Sequence, residues 1–142
     1  MTTQNVDSNG HHIRPTPSDT LTASAVGTTT AGTIAGTTAA GAAPTVAIPS
    51  GFVCHDRAGT FELTAVTGGG AQAAGDVATV RFLDEYPATP SAVLLTLYDI
   101  TANPDAVRAA CATAVTPLGF NVNVAAALTT ATVYRVSYSV IP

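Results

Sequence analysis

"TVYRVSYSVI", Thr132 to Ile141, decides the fold. Tyr134, Val136, Tyr138 and Val140 alternate with Val133, Arg135, Ser137 and Ser139, so one side of an extended chain is large and apolar and the other mixed. That is the pattern of a β-strand lying on a core. The same period of two recurs upstream. In "GTFELTAV", Phe61, Leu63 and Ala65 point one way, and Glu62 and Thr64 the other. In "DVATVRFL", Ala78, Val80 and Phe82 alternate with Thr79 and Arg81. In "GFNVNVA", Phe120, Val122 and Val124 alternate with Asn121 and Asn123. "PTVAIP" is too short to show a period and opens the series.

"SAVLLTLY" differs from these runs. Val93, Leu95 and Leu97 form one apolar face, and Ala92, Leu94 and Tyr98 the other. A strand of this kind is expected to be covered on both sides. Before it, "DEYPATPS" carries Pro87 and Pro90, which cannot donate to a ladder, so the segment must be a bend. "TGGGAQAAG" reads as a turn. Helix signals are weak. The single candidate is 105–114, "DAVRAACATA", which Asn103-Pro104 could start; a strand or irregular segment is the preferred reading there. Seven or so short strands with turn chemistry between them predict an all-β protein, an antiparallel β-sandwich.

The first 43 residues read differently. "MTTQNVDSNGHHIRPTPSDT" is polar and proline-punctuated, and "GTTTAGTIAGTTAAGAAP" is a Thr/Ala/Gly run. Neither holds enough large apolar surface to offset chain entropy. The expected organisation is a flexible, extended N-terminal arm over 1–43 and a sandwich domain over 44–142.

Composition narrows the function. Charged residues make up 10% of the 142 residues, against roughly 25% in an ordinary soluble domain. Lysine is absent, and the five cations, Arg14, Arg57, Arg81, Arg108 and Arg135, are scattered. With a net charge of -4 and no basic stripe, nucleic acid is excluded as a partner. No apolar run reaches the length of a membrane span. The N-terminus lacks the apolar core of a signal peptide, so synthesis in the cytoplasm and use without crossing a membrane by its own signal are expected. So little surface charge protects a lone domain poorly from association, which points to a surface covered by partners.

No catalytic constellation is visible. His11-His12 near Asp7 sits in the arm and needs no metal. Gly68 to Gly70 is followed by neither lysine nor helix, so it is no phosphate loop. Asp84, Glu85 and Asp99 read as solvated acids at strand ends. In His55-Asp56-Arg57, Asp56 is expected to satisfy backbone N–H groups of a turn that Gly59 permits. Cys54 and Cys111 read as two small buried thiols, with a disulfide as the alternative. No enzyme activity, cofactor or metal is expected. The partner-binding candidates are Ile13, Arg14, Leu21, Val26 and Ile34 from the arm, with Tyr86 and Tyr98 from the domain, aromatics that give large contact area at low entropic cost.

Residues 44–141 resemble a domain of bacteriophage structural proteins, common at tail-fibre and spike ends and in small standalone virion proteins. The resemblance is carried by "PTVAI", by "GFVCHDRAGTFELTA" with Gly51, Asp56 and Ala58-Gly59-Thr60, then by "ATVRF", "Y..TPSAVLLT", "GFNVNV" and "TVYRVSYSVI". The pattern is also similar to the H-type lectin sandwich, whose members are trimers that bind sugars at subunit boundaries. No residue here matches a sugar-coordinating position, so the resemblance implies fold and trimerisation. It implies a virion protein: a capsid decoration protein on the head surface, built as homotrimeric knobs whose arms pair with the major capsid protein or other virion proteins. The alternative is a tail fibre tip or minor tail protein that binds a host-surface glycan.

Overall fold

The computed structural model describes residues 20–66, 72–101 and 106–142. They form two five-stranded sheets packed face to face. The strands are β1 (Thr22–Ser24), β2 (Thr33–Gly36), β3 (Thr45–Ala47), β4 (Ala58–Ala65), β5 (Gly75–Arg81), β6 (Ala92–Asp99), β7 (Ala106–Arg108), β8 (Ala110–Thr116), β9 (Gly119–Val124) and β10 (Thr132–Ile141). The first sheet runs β1-β2-β5-β9-β8 and the second β3-β4-β10-β6-β7. Every pairing is antiparallel except β1 with β2. The expected β-sandwich is the fold. The segment with helix signals is strand, split between β7 and β8 at Ala109, where the chain passes from one sheet to the other.

The alternation places the core correctly. Phe61, Leu63, Ala65, Ala78, Val80, Phe82, Phe120, Val122, Val124, Tyr134, Val136, Tyr138 and Val140 are all buried. An aromatic column crosses between the sheets: Phe82 to Phe120 at 5.9 Å between ring centroids, Phe120 to Tyr138 at 5.4 Å, and Tyr138 to Phe61 at 6.4 Å. These offset and edge-on contacts suit the ring quadrupoles. Both buried tyrosine hydroxyls have partners. Tyr138 Oη donates to the His55 carbonyl at 2.6 Å, and Tyr134 Oη accepts from the Thr129 amide at 2.7 Å. A register shift in β5 between Asp76 and Ala78 turns both Val77 and Ala78 inward.

The domain boundary differs from the expected one. The sandwich begins near Leu21, inside the segment assigned to the arm. β1 and β2 extend the first sheet, and Leu21 and Ile34 lie in the core at 2% and 0% exposure. The Thr/Ala/Gly composition does not prevent this, because an edge strand is held by ladder bonds and needs only an occasional large side chain. Small residues here also permit close approach. A Cβ on Gly36 would stand 2.8 Å from Pro44 Cγ. A single 3-10 turn at Thr38–Ala40 then carries the chain towards the second sheet. It is capped by Thr37, whose hydroxyl also donates to the Asp76 carbonyl.

Candidate interaction surface

The two outer faces of the sandwich have opposite characters. On the first sheet the outward side chains of β5, β9 and β8 are knitted together around Asp76. Its carboxylate accepts from Thr113 Oγ1 at 2.7 Å, from Asn123 Nδ2 at 2.7 Å and from Asn121 Nδ2 at 2.8 Å. Thr79 Oγ1 donates to Asn121 Oδ1 at 3.1 Å, so the amide is used on both ends. The Asn123 and Thr113 bonds, with a smaller contribution from Asn121, hold Asp76 below its usual carboxylate range against some desolvation. This face satisfies itself. A partner would have to strip water from polar groups that already have partners, with little in return.

The outer face of the second sheet has no such network. One row of directly opposed residues crosses all five strands: Ala47, Glu62, Arg135, Tyr98 and Val107. Arg135 Nη2 donates to Glu62 Oε1 at 2.6 Å, and the guanidinium lies 5.1 Å from the Phe52 ring centroid. The Glu62 hydrogen bond, followed by that of Tyr98, raises the Arg135 pKa. The only charges on these strand faces thus neutralise each other. The remaining rows are small hydroxyls and apolar tips: Thr60, Ser137 and Thr96, then Ala58, Ser139 and Leu94, then Ile141 and Ala92. Leu94 is 60% exposed, Val107 76% and Ile141 43%. β6 is expected to be covered on both faces; its inner face meets the opposing sheet, while Leu94 is exposed among the described residues.

The expected contact residues fall into different places. Tyr98 is on this outer face, half-buried beside Arg135. Val26 is exposed in a shallow apolar groove between β1 and β3, with Ala23, Ala43, Pro44 and Val46. Leu21 and Ile34 are core residues whose side chains offer nothing to a partner. Tyr86 is half-buried and packs edge-on against Phe82 at 5.0 Å. Its hydroxyl donates to the Asp56 carbonyl at 3.2 Å, and burial, with the Asp56 charge adding, pushes it up to about 12. Its role is to close the end of the core. Ile13 and Arg14, His11-His12 and the triple glycine lie outside the described residues.

Asp56 satisfies backbone N–H groups, but those of a distant bend and not of its own turn. Its carboxylate accepts from the Leu83 and Asp84 amides at 2.7 and 2.9 Å, which fixes the bend after β5. Gly59 serves packing rather than a turn: it has no positive φ and sits in β4, where a Cβ would meet Cys54 Cα at 2.7 Å and Tyr138 Oη at 2.8 Å. Asp99 is no solvated acid. It is buried and accepts from the Thr101 amide at 2.8 Å. Cys54 and Cys111 are both free. Cys54 is buried, and desolvation pushes its thiol up to about 11, while Cys111 is exposed on the outer face of β8 beside Asn123, contrary to the expected burial.

Among the described residues, no group of three or more His, Cys, Asp or Glu could hold a metal ion, and no helix is long and apolar enough to cross a membrane. Comparisons with protein-family models, with curated proteins and with solved structures find no match to this chain.

Proposed function

We propose that this chain is a bacteriophage structural protein, a capsid decoration protein that assembles as homotrimeric knobs and is anchored on the head by its N-terminal segment. The observation that carries the reading is the outer face of the β3-β4-β10-β6-β7 sheet. Its strand residues carry one matched pair of charges, Glu62 and Arg135, and otherwise mostly small side chains, and it is tipped by Leu94 and Val107, which are exposed among the described residues. A neutral face with no like charges to oppose is suited to meeting copies of itself, and apolar burial there supplies the driving force. The motif order over 44–141 supports the virion assignment by resemblance. The function is binding: packing between subunits, with three N-terminal segments per knob acting together so that avidity holds it on the shell. The same knob at a tail tip would be present in few copies per particle, and on the shell in many, so counting copies separates the two placements.

Sedimentation velocity of the full chain tests the core of the proposal. A trimer at micromolar concentration is expected, and the double substitution Leu94→Asp, Val107→Asp should yield a monomer with an unchanged far-ultraviolet spectrum. A wild-type chain that stays monomeric, or a double variant that stays trimeric, overturns it.

A further inference from the structure

One end of the same sheet carries a site of a different kind. Asp56 turns inward to the Leu83 and Asp84 amides, while its two neighbours, His55 and Arg57, line a surface pocket of about 590 Å³ together with Ala58, Ser139, Ile141 and Pro142. The backbone around it is already committed. The His55 amide donates to the Ala58 carbonyl at 2.9 Å, the Val140 amide to the Arg57 carbonyl at 2.7 Å and the Ser91 amide to the Ile141 carbonyl at 2.8 Å. Strand addition of a peptide therefore finds no free ladder groups here. What remains for recognition is in the side chains: the Arg57 guanidinium, the accessible edge of the half-buried His55 imidazole, and the Ser139 hydroxyl. Arg57 is exposed and makes no ion pair with any described residue.

The pocket thus offers one permanent cation with a planar fork of donors, one or two weaker donors, and a wall that is mostly hydrocarbon from Ala58, Ile141 and the Pro142 ring. A guanidinium fork matches a carboxylate bidentately. A dianionic phosphate would leave one charge unmatched over an apolar wall, at a desolvation cost. We propose that this pocket binds a monoanionic carboxylate carried on an apolar body, with the carboxylate on Arg57, a hydrogen bond from Ser139 or His55, and the body against Ile141 and Pro142.

The test is a two-dimensional amide and arginine side-chain NMR titration of the full chain with sodium benzoate. Saturable shifts confined to Arg57, Ser139 and Ile141 are expected. The neutral isostere benzamide at the same concentrations should leave these signals in place, and inorganic phosphate should fail to compete. Arg57→Gln should weaken benzoate by roughly tenfold or more, the scale of a lost charged hydrogen-bond pair. Since Arg57 bonds to no described side chain, its other signals should stay put. Benzamide shifting the same signals equally, phosphate competing as well as benzoate, Arg57→Gln binding like wild type, or shifts scattered over the molecule would each overturn the assignment. A monomeric chain that still binds benzoate would overturn the trimer alone.

Discussion

Removing residues 1–19 and removing residues 1–43 should have opposite consequences. The first cut ends before Leu21 and leaves both sheets intact. The second removes β1 and β2, with Leu21 and Ile34 from the core and Ala35 and Ala40 beside them. Losing a buried Leu or Ile side chain costs about 2–5 kcal/mol when a cavity remains. Two such losses come to roughly 4–10 kcal/mol by that measure, before the ladder bonds of β2 to β5 are counted. β5 would also become an exposed edge whose Ala78, Thr79 and Val80 lose their partners Gly36, Ala35 and Ile34. A domain of this size is stable by only about 5–15 kcal/mol in total. The 44–142 fragment should therefore be unfolded or aggregated at room temperature. The 20–142 fragment should keep a urea midpoint close to that of the full chain. Far-ultraviolet circular dichroism followed through a urea titration reads both. A 44–142 fragment that unfolds cooperatively within about 2 kcal/mol of the full chain, by linear extrapolation, would refute the argument that the Thr/Ala/Gly segment is part of the core. The same pair clarifies any particle-binding assay: only the 20–142 fragment separates anchoring from folding.

Four further outcomes follow from the side-chain geometry. Asp76 is held below its ordinary pKa of 3.8 in the fold, so the unfolded chain takes up protons first as pH falls. Its contribution is present above the unfolded pKa and is lost as pH drops through the folded one. The urea midpoint should therefore fall below about pH 4, and Asp76→Asn should flatten that part of the profile; identical slopes in the two proteins would count against the network. In native protein at pH 8, Ellman's reagent should titrate one thiol, Cys111, with Cys54 reacting only after denaturation, and immediate reaction of both would contradict the burial of Cys54. Gly59→Ala should destabilise by about 1–3 kcal/mol, the cost of overpacking, measured as a lowered urea midpoint at unchanged slope; no change would mean that Cys54 and Tyr138 yield more easily than their distances suggest. Subunit association through the neutral β6–β10 face should strengthen in sodium sulfate and stay level in moderate sodium chloride, read by sedimentation; dissociation in sodium chloride would indicate ion pairs instead.

Much of the fold was legible because a strand on a core reports its face residue by residue. Every inward residue named in β4, β9 and β10 is buried, and the prolines at 87 and 90 do mark a bend. What was not legible depends on partners distant in sequence. β2 holds one large side chain, Ile34, and its place is set by pairing with β5 some 45 residues on, a relation that composition cannot express. The Asp76 network is of the same kind. Asn121 and Asn123 could be seen to point outward, but their meeting with Asp76 depends on the register between β5 and β9, which includes a shift. β6 is legible on its inner face only: Leu97 is buried there, while Leu94 on the outer face is exposed among the described residues, and what covers it cannot be read from this strand's own pattern.

The sparse charge of the sequence gains a physical reading from where those charges sit. Asp56 is held by two amides and Asp76 by three side chains, Glu62 and Arg135 neutralise each other, and the Arg108 guanidinium lies 5.9 Å from the Tyr134 ring centroid. Each of these groups stabilises the fold and contributes little free field at the surface. The exterior is therefore less charged in effect than the composition alone suggests. This matters for association because long-range repulsion between copies, which keeps ordinary domains apart, is weak here. Arg57 stands apart from these four groups: its guanidinium is exposed, forms no ion pair with a described residue, and lines a pocket with Ile141. An anion bound there from outside would be matched as Asp56, Asp76 and Glu62 are matched from within.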